Sequence, residues 1–438
     1  MSPRMRKASD RTFSSLKIRN YRLYFVGQLV SVSGTWIQWV AQTSLIVYTL
    51  HKGGVVLGIA TGLQFLPMFV GGMWGGIVAD RYDKRTTLIW TQALQAVLAA
   101  VFGALVLTHV IQVWQIYLLA FLFGVVTVVD MPARQAFVSE MVGSAEVPNA
   151  VALNSAMFNS GRLAGPALAA ILIKVFHGTG PAFLFNAASF AAVIIALWLM
   201  RPDELQRAPI APRARGQLRE GLAFMRKSQV LKDTLFVITI VATFGFNFTI
   251  VLPLMAKTNF HGGVGIYGLL SSIMAIGAIG GGLVVAGRKT PTMRYLIATG
   301  LAFGAAELIA AYMPSIALEA ILLIPVGAAS MMFLATANST LQLSSPAIMR
   351  GRVMAVYSLL FVGGTAVGGP AAGWVSQTFG PRMGLAFGAV LSLLASGALW
   401  IRARNERVGR RGGATVVPIT ETSAMGDIAG DTPAPAAR

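Results

Sequence analysis

The chain has 438 residues, of which 55% are hydrophobic and only 12% charged, and it carries a net charge of +19. Soluble globular chains carry roughly 25% charged residues, so a water-soluble domain is excluded. With no cysteine, disulfide frameworks, thiolate metal sites and cysteine nucleophiles are excluded together.

A basic segment, 1–21, precedes an apolar run too long for the hydrophobic core of a signal peptide. That run is the first of twelve apolar segments, at 22–49, 55–79, 86–109, 112–131, 149–176, 181–200, 232–256, 264–286, 293–313, 315–341, 353–379 and 382–401. About twenty apolar residues cross ~30 Å of hydrocarbon as a helix, and the alternation of a transmembrane strand is absent. The pattern predicts an all-α membrane protein of twelve transmembrane helices, in two six-helix halves at 22–200 and 232–401. Between them lies a polar loop, 201–231, whose GQLREGLAFMRK predicts a short amphipathic helix on the membrane surface. The Gly-, Pro-, Ala- and Arg-rich tail, 402–438, reads as disordered. The halves repeat: Gly165-Pro166 in the fifth segment recurs as Gly369-Pro370 in the eleventh, and Gly76 recurs as Gly282. Such pseudo-symmetric halves are a transporter plan.

Thirty of the 35 Lys and Arg residues fall on one side of the predicted topology. Basic residues collect in cytoplasmic loops, so both termini are expected in the cytoplasm. Topology and anionic headgroups account for the charge, and no nucleic-acid partner is expected. His51, His109, His177 and His261 all fall in loops of the other side, where chance siting explains them. No His/carboxylate cluster has metal spacing and no nucleophile–base set is visible, so neither a metal, a cofactor nor an enzyme is expected.

The gap between the second and third segments, GGIVADRYDKR (75–85), resembles the signature loop of the major facilitator superfamily, Gly-x-x-x-Asp-Arg-x-Gly-Arg-Arg/Lys. Gly76, Asp80, Arg81 and Arg85 match, while Asp83 replaces the usual glycine and Lys84 an arginine. DMPARQAFVSEMV (130–142) and NAVALNSAMFNSGRLAGPALA (149–169) are similar to the bacterial branch holding the enterobactin exporter and macrolide-efflux proteins. Gly161, Gly165 and Pro166 fit the antiporters' Gly-x-x-x-Gly-Pro, although Ala152 replaces the pattern's first glycine. The family's second-half acidic residue is missing, since Ala286 aligns with Asp80. The resemblance implies alternating access and a conformational latch of Gly76, Asp80, Arg81, Lys84, Arg85 and Asp130. In it Asp80 faces the start of helix eleven, Lys84 pairs with Asp130, and the outward-facing state is stabilised. The plainer reading is a solvated turn. An ion pair of Asp130 with Arg134, one helical turn away, is the plain reading of that carboxylate.

Arg162 falls near the middle of the fifth segment, where a charge costs from ~2.5 to over 10 kcal/mol and marks function by default. It either satisfies carbonyls or Asp130 within the packing, or faces a cavity and attracts an anionic or phenolate-bearing substrate. Ser155 and Asn159 share its face. In the first segment Gln28, Ser31, Thr35, Gln38 and Gln42 form one helical face, with Trp36 and Trp39 alongside. Family architecture makes these, with Asn247 and Asn338, candidates for a water-filled substrate path; interhelical hydrogen bonding is the alternative. Gly161, Gly165, Pro166, Gly369 and Pro370 are read as packing and helix-bend residues. The expected function is export of amphipathic small molecules, drugs or siderophore-like, by a monomer in a bacterial plasma membrane, with protons as coupling ion. An uptake carrier for a polar metabolite and a lipid-handling protein of the same fold are the alternatives.

Overall fold

The structure is a computed structural model and describes residues 13–206, 217–288 and 291–409. The predicted tail therefore lies outside the described residues from 410 onward, as does the start of the N-terminal segment. No strand occurs among the described residues.

The first helix, α1 (Arg19–Ser44), continues into a π-helical turn, Leu45–Thr49. Next come α2 (Gly54–Arg81) and α3 (Lys84–Leu107), the latter started by Asp83, whose Oδ1 accepts from the Thr86 N–H at 2.8 Å. The next helical stretch, Val113–Val175, has 63 residues. At 1.5 Å per residue that is roughly 95 Å, three times the ~30 Å of hydrocarbon. It turns at Gly143, where φ is 71° and ψ 166°, and so forms two helices, α4 (113–142) and α5 (144–175). After α6 (Gly180–Trp198) the surface helix Gln217–Lys227 appears where the amphipathic pattern placed it. The second half consists of α7 (Gln229–Thr258), α8 (Val264–Ala286), α9 (Met293–Ala310), α10 (Ile316–Leu343), α11 (Ala347–Phe379) and α12 (Pro381–Gly409).

Twelve long helices thus stand where twelve were expected. By length and composition ten described stretches can cross a membrane; 113–175, which holds both α4 and α5, counts once, and α1, with its Gln, Ser and Thr face, falls short. The fourth helix outruns its predicted end at 131 because its continuation carries polar residues that find partners rather than water. A π turn also occurs in the first helix of the second half, at Val241–Gly245 midway along α7, before a break at Phe246–Asn247.

Within the first half α1 packs on α5 and α6, α2 on α4, and α3 on α6; within the second, α8 and α9 pack on α10, and α9 and α11 on α12. The halves meet along α2–α11 and α5–α8. The repeated Gly-Pro pair sits at both seams. Gly58 in α2 approaches Gly369-Pro370 so closely that a Cβ on it would meet the Gly369 carbonyl oxygen at 2.5 Å. A Cβ on Gly268 in α8 would meet the Pro166 oxygen at 3.0 Å.

These contacts are one-sided. The Tyr48 hydroxyl donates to Pro253 O (3.1 Å), the Val55 N–H to Gln377 Oε1 (3.0 Å) and the Ser272 hydroxyl to Leu163 O (3.2 Å); the Lys257 ammonium donates to Val47 O. All lie at or beyond the middle of the bundle, away from the end that bears Lys84, Arg201 and Arg352. Among the described residues at that basic end the polar contacts stay within a half or reach the surface helix, as in Lys84–Glu140 (2.8 Å), Arg402–Asp233 (3.3 Å) and Arg352–Glu220 (2.7 Å). The halves therefore close at the far end and part toward the basic end.

Candidate functional site

Asp130 is 3% exposed and fully engaged. Its Oδ1 accepts from the Thr91 hydroxyl (2.7 Å) and Gln92 Nε2 (2.8 Å) of α3. Its Oδ2 accepts from Arg134 Nη2 (2.5 Å) and Nε (3.1 Å). Arg134 Nη1 then donates to Gln28 Oε1 of α1 at 2.6 Å. A buried carboxylate is costly unless it is paired and hydrogen-bonded, and here four donors, two of them from a guanidinium, meet that need. The network is not closed: Gln28 Nε2, Gln92 Oε1 and the Tyr24 hydroxyl are buried without hydrogen-bond partners among the described residues.

The expected Lys84–Asp130 pair does not form. Lys84 binds Glu140 Oε1 at 2.8 Å instead. The reason is register between antiparallel helices. Thr91 and Gln92, two turns into α3, sit level with Asp130, so the first residue of α3 meets a residue that many turns further along α4. The local Asp130–Arg134 pair is present at 2.5 Å. Arg85 is also tied down, donating from Nε to Leu197 O (2.7 Å) and from Nη2 to Trp198 O (3.3 Å). A cation on the terminal carbonyls of α6 is favoured by the helix dipole. Arg81 is exposed. Gly76 and Asp80 lie in the last turns of α2, but the Asp80 side chain, and with it the expected contact to α11, is outside the described residues.

The polar face of α1 requires a second correction. Gln28 is fully buried on Arg134, and Gln38, 3% exposed, accepts from Asn186 Nδ2 of α6 at 2.7 Å. Gln42 is buried, and Thr35, half-buried, donates to Ser31 O at 2.9 Å. The face points into the first half, toward α4 and α6. A helical period shows that residues share a side, never what that side meets. Next to it are the tryptophans. Trp36 and Trp39 lie edge-on at 4.9 Å between centroids, Phe65 of α2 is 6.1 Å from Trp39, and Phe158 of α5 is 6.4 Å from Trp36. Gly161 and Gly165 make room for Trp36: a Cβ at Gly161 would meet its Cδ1 at 2.9 Å.

Arg162 is partly buried and makes no hydrogen bond or ion pair among the described residues. Asn159 and Ser155 are exposed on its face, linked by a 2.8 Å bond from Asn159 Nδ2 to Ser155 O. In the second half Asn247 is buried and spends its amide on its own helix, on Thr243 O (2.8 Å) and Phe244 O (3.0 Å). Asn338 is half-buried and accepts from Gln342 Nε2 at 2.5 Å. Asn338 also hydrogen-bonds with the Tyr357 hydroxyl of α11. Two further carboxylates are buried, and no sequence motif marks them. Glu307 is 1% exposed, and Glu319 is 0% exposed, with neither oxygen hydrogen-bonded among the described residues. Arg382 is the charged neighbour of Glu319, and its Nη2 donates to Met313 O at 3.0 Å.

Twelve helices in two halves, a one-sided seam and the charged loop after α2 define a membrane transporter, and known proteins agree. Residues 10–412 match the family of transmembrane secretion effectors, and the chain belongs to this branch of the major facilitator superfamily, a family of transporters rather than enzymes. It is 24% identical over 259 residues to the staphyloferrin A transporter of Staphylococcus aureus, covering 59% of this chain and 64% of that one, so it spans less than two thirds of that relative. It is 25% identical over 353 residues to the multidrug efflux pump Tap of Mycolicibacterium fortuitum, covering 77% of this chain and 84% of the pump. Among solved structures, a bacterial homologue of the lysosomal transporter Spinster, described as inward-facing and unoccupied, superimposes with a TM-score of 0.70 at 14% identity, over 88% of this chain and 97% of that one.

Proposed function

We propose that the protein exports amphipathic small molecules from a bacterium by alternating access, with protons as the coupling ion. One observation carries this reading: among the described residues the two halves hold each other at and beyond the middle of the bundle, leaving a path open at one end. A pair of pseudo-symmetric halves in that posture is one end state of a rocking cycle. The concentration of basic residues makes the open end cytoplasmic, with both termini inside and the far end at the cell exterior. Drug and siderophore transport among the relatives supports the substrate class. The Gln-rich face that would favour the uptake alternative is turned into the packing of the first half.

The loop after α2 serves as the latch of the opposite, outward-facing state, with Gly76, Asp80 and Arg81 reaching the second half once the cytoplasmic ends close. Lys84–Glu140 and Arg85 on the end of α6 hold the loop to its own half. Asp130 ties the loop's own half together through the shared network, since loss of its charge would weaken its hold on Arg134, and through it on Gln28.

Uptake of a fluorescent amphiphile into inverted membrane vesicles tests this. The expected result is accumulation driven by an imposed proton gradient and abolished by a protonophore. Asp130→Asn is expected to reduce the gradient-driven part by about tenfold or more, the effect of ~1.4 kcal/mol. Accumulation indifferent to the gradient would sink the coupling, and movement of lipid probes alone would favour the lipid-handling reading.

A further inference from the structure

We propose that the first half carries a recognition site for anionic ligands with a flat apolar ring, formed by the Arg162 guanidinium and the aromatic wall of Trp36, Trp39, Phe65 and Phe158. The site gives the proposed transporter a substrate class; binding stands on its own, and only the transport step after it rests on that reading.

Arg162 lies mid-way along α5, at the depth where an unpaired charge is most costly. Both partners that would make it structural are absent. Asp130 has each oxygen occupied by donors from α3 and by Arg134, and Arg162 bonds to no carbonyl among the described residues. A permanent guanidinium without a counter-ion calls for one from outside the chain.

The direction of the side chain's sector fits such a ligand. Around α5, Gly161 and Gly165 face Trp36 of α1, while Pro166 and Leu163 face α8. Arg162 falls between these two contacts, on the sector that also presents Ser155, Asn159 and Phe158. The opposite sector is apolar and exposed, with Leu168, Ile171 and Val175 toward the bilayer. The charged sector thus looks into the space between α1 and α8, where the two halves part, rather than into lipid.

An aromatic wall stands beside the charge. Phe158 lies one turn before Arg162 and meets Trp36 edge-on, and Trp36 meets Trp39 in the same way, with Phe65 beyond. Edge-to-face rings leave faces on which another flat ring can pack. The guanidinium beside them takes a carboxylate, sulfonate or phenolate through a planar fork of donors. The wall comes from α1, α2 and α5 alone, so the site belongs to one half and stays intact as the halves rock. Leu163, next to Arg162, accepts from Ser272 across the seam at 3.2 Å, so an occupied site adjoins a contact that rocking alters.

Equilibrium binding to the purified full-length protein in lipid nanodiscs tests the site without turnover, using 2-naphthoate and its neutral isostere 2-naphthamide. Wild type is expected to prefer the anion by about tenfold or more, the factor of ~1.4 kcal/mol. Arg162→Gln should bring the two affinities together and Arg162→Lys keep part of the preference, while Trp39→Leu weakens both probes alike. Each variant's thermal unfolding is recorded, and should Arg162→Gln not fold, the Lys and Trp39 variants carry the test. A wild type without preference for the anion, or an Arg162→Gln or Arg162→Lys protein that keeps all of it, overturns the proposal. Preserved Arg162-dependent binding with no gradient-driven naphthoate flux in vesicles would instead remove the transport reading and leave the site standing.

Discussion

His51, His109, His177 and His261 are the whole histidine content of the chain, and each has a positive φ, between 50° and 57°. They come just after the far-end termini of α1, α3, α5 and α7. There the chain must enter the left-handed region to close the helix, as when the Val110 N–H returns to Leu105 O (3.2 Å) and the Gly178 N–H to Ile173 O (3.1 Å). Histidine tolerates that region better than most side chains, and β-branched residues tolerate it worst. Chance siting, the reading from sequence alone, misses this shared role, because φ is invisible in composition. His109→Val is expected to cost ~1–2 kcal/mol, and His109→Gly to be neutral or nearly so, by equilibrium unfolding in mixed micelles. Equal loss in both variants would mean that the imidazole itself matters. The ion pairs of the loop give a second test. Lys84 and Glu140 side chains are only 15% and 6% exposed, so breaking their pair by Glu140→Ala should cost ~1–3 kcal/mol, below the ~3–5 of a wholly buried pair. A double-mutant cycle should find coupling between Lys84 and Glu140 and none between Lys84 and Asp130. The reverse would restore the pairing that family resemblance implied.

Helices are more legible in this sequence than their partners. Runs of ~20 apolar residues have one stable form in lipid, so most of the twelve helices can be read from hydropathy, though the polar face of α1 leaves it short of a spanning stretch by composition, and the short helix 217–227 can be read from local pattern. Which face meets which neighbour depends on rotation about each axis, and that is set by contacts distant in sequence. Hence Gln28 and Gln38 read as a cavity face yet lie against Arg134 and Asn186, while the Gly-Pro repeat reads as a bend and proves to be a seam as well. That seam is testable at element scale. A Cβ on Gly58 meets backbone of Gly369, not a flexible side-chain end, so Gly58→Val cannot be absorbed by a rotamer change. It should push α2 from α11 at the far end and shift the protein toward the outward-open state. Because the chain has no cysteine, a single cysteine introduced at Leu254, which is 5% exposed and lies against Gly54 at the far end, can report this by maleimide labelling. Labelling is expected to rise several-fold with Gly58→Val; unchanged labelling would show that the α2–α11 contact does not hold the far end shut.

At the scale of the molecule, repeat and charge asymmetry announce two halves and an orientation, but nothing in a sequence states which end of the bundle is open. That information lies in the contacts between halves, and they can be fixed chemically. A Cβ built at Gly53 stands 3.3 Å from Gln377 Cγ, close to the spacing across a disulfide between Cβ and the opposite sulfur. Gly53→Cys with Gln377→Cys therefore places one bridge across the far end of a protein otherwise free of thiols. If alternating access is the mechanism, oxidation should trap the state in which the far end is closed. Flux should fall to background, a probe at the basic end should remain reactive, and reductant should restore transport. Each single-cysteine variant should behave as wild type under oxidant, which separates the bridge from damage. Transport that survives complete cross-linking would mean that the far end need not open, and that the path runs through the bilayer side of the bundle rather than between its halves.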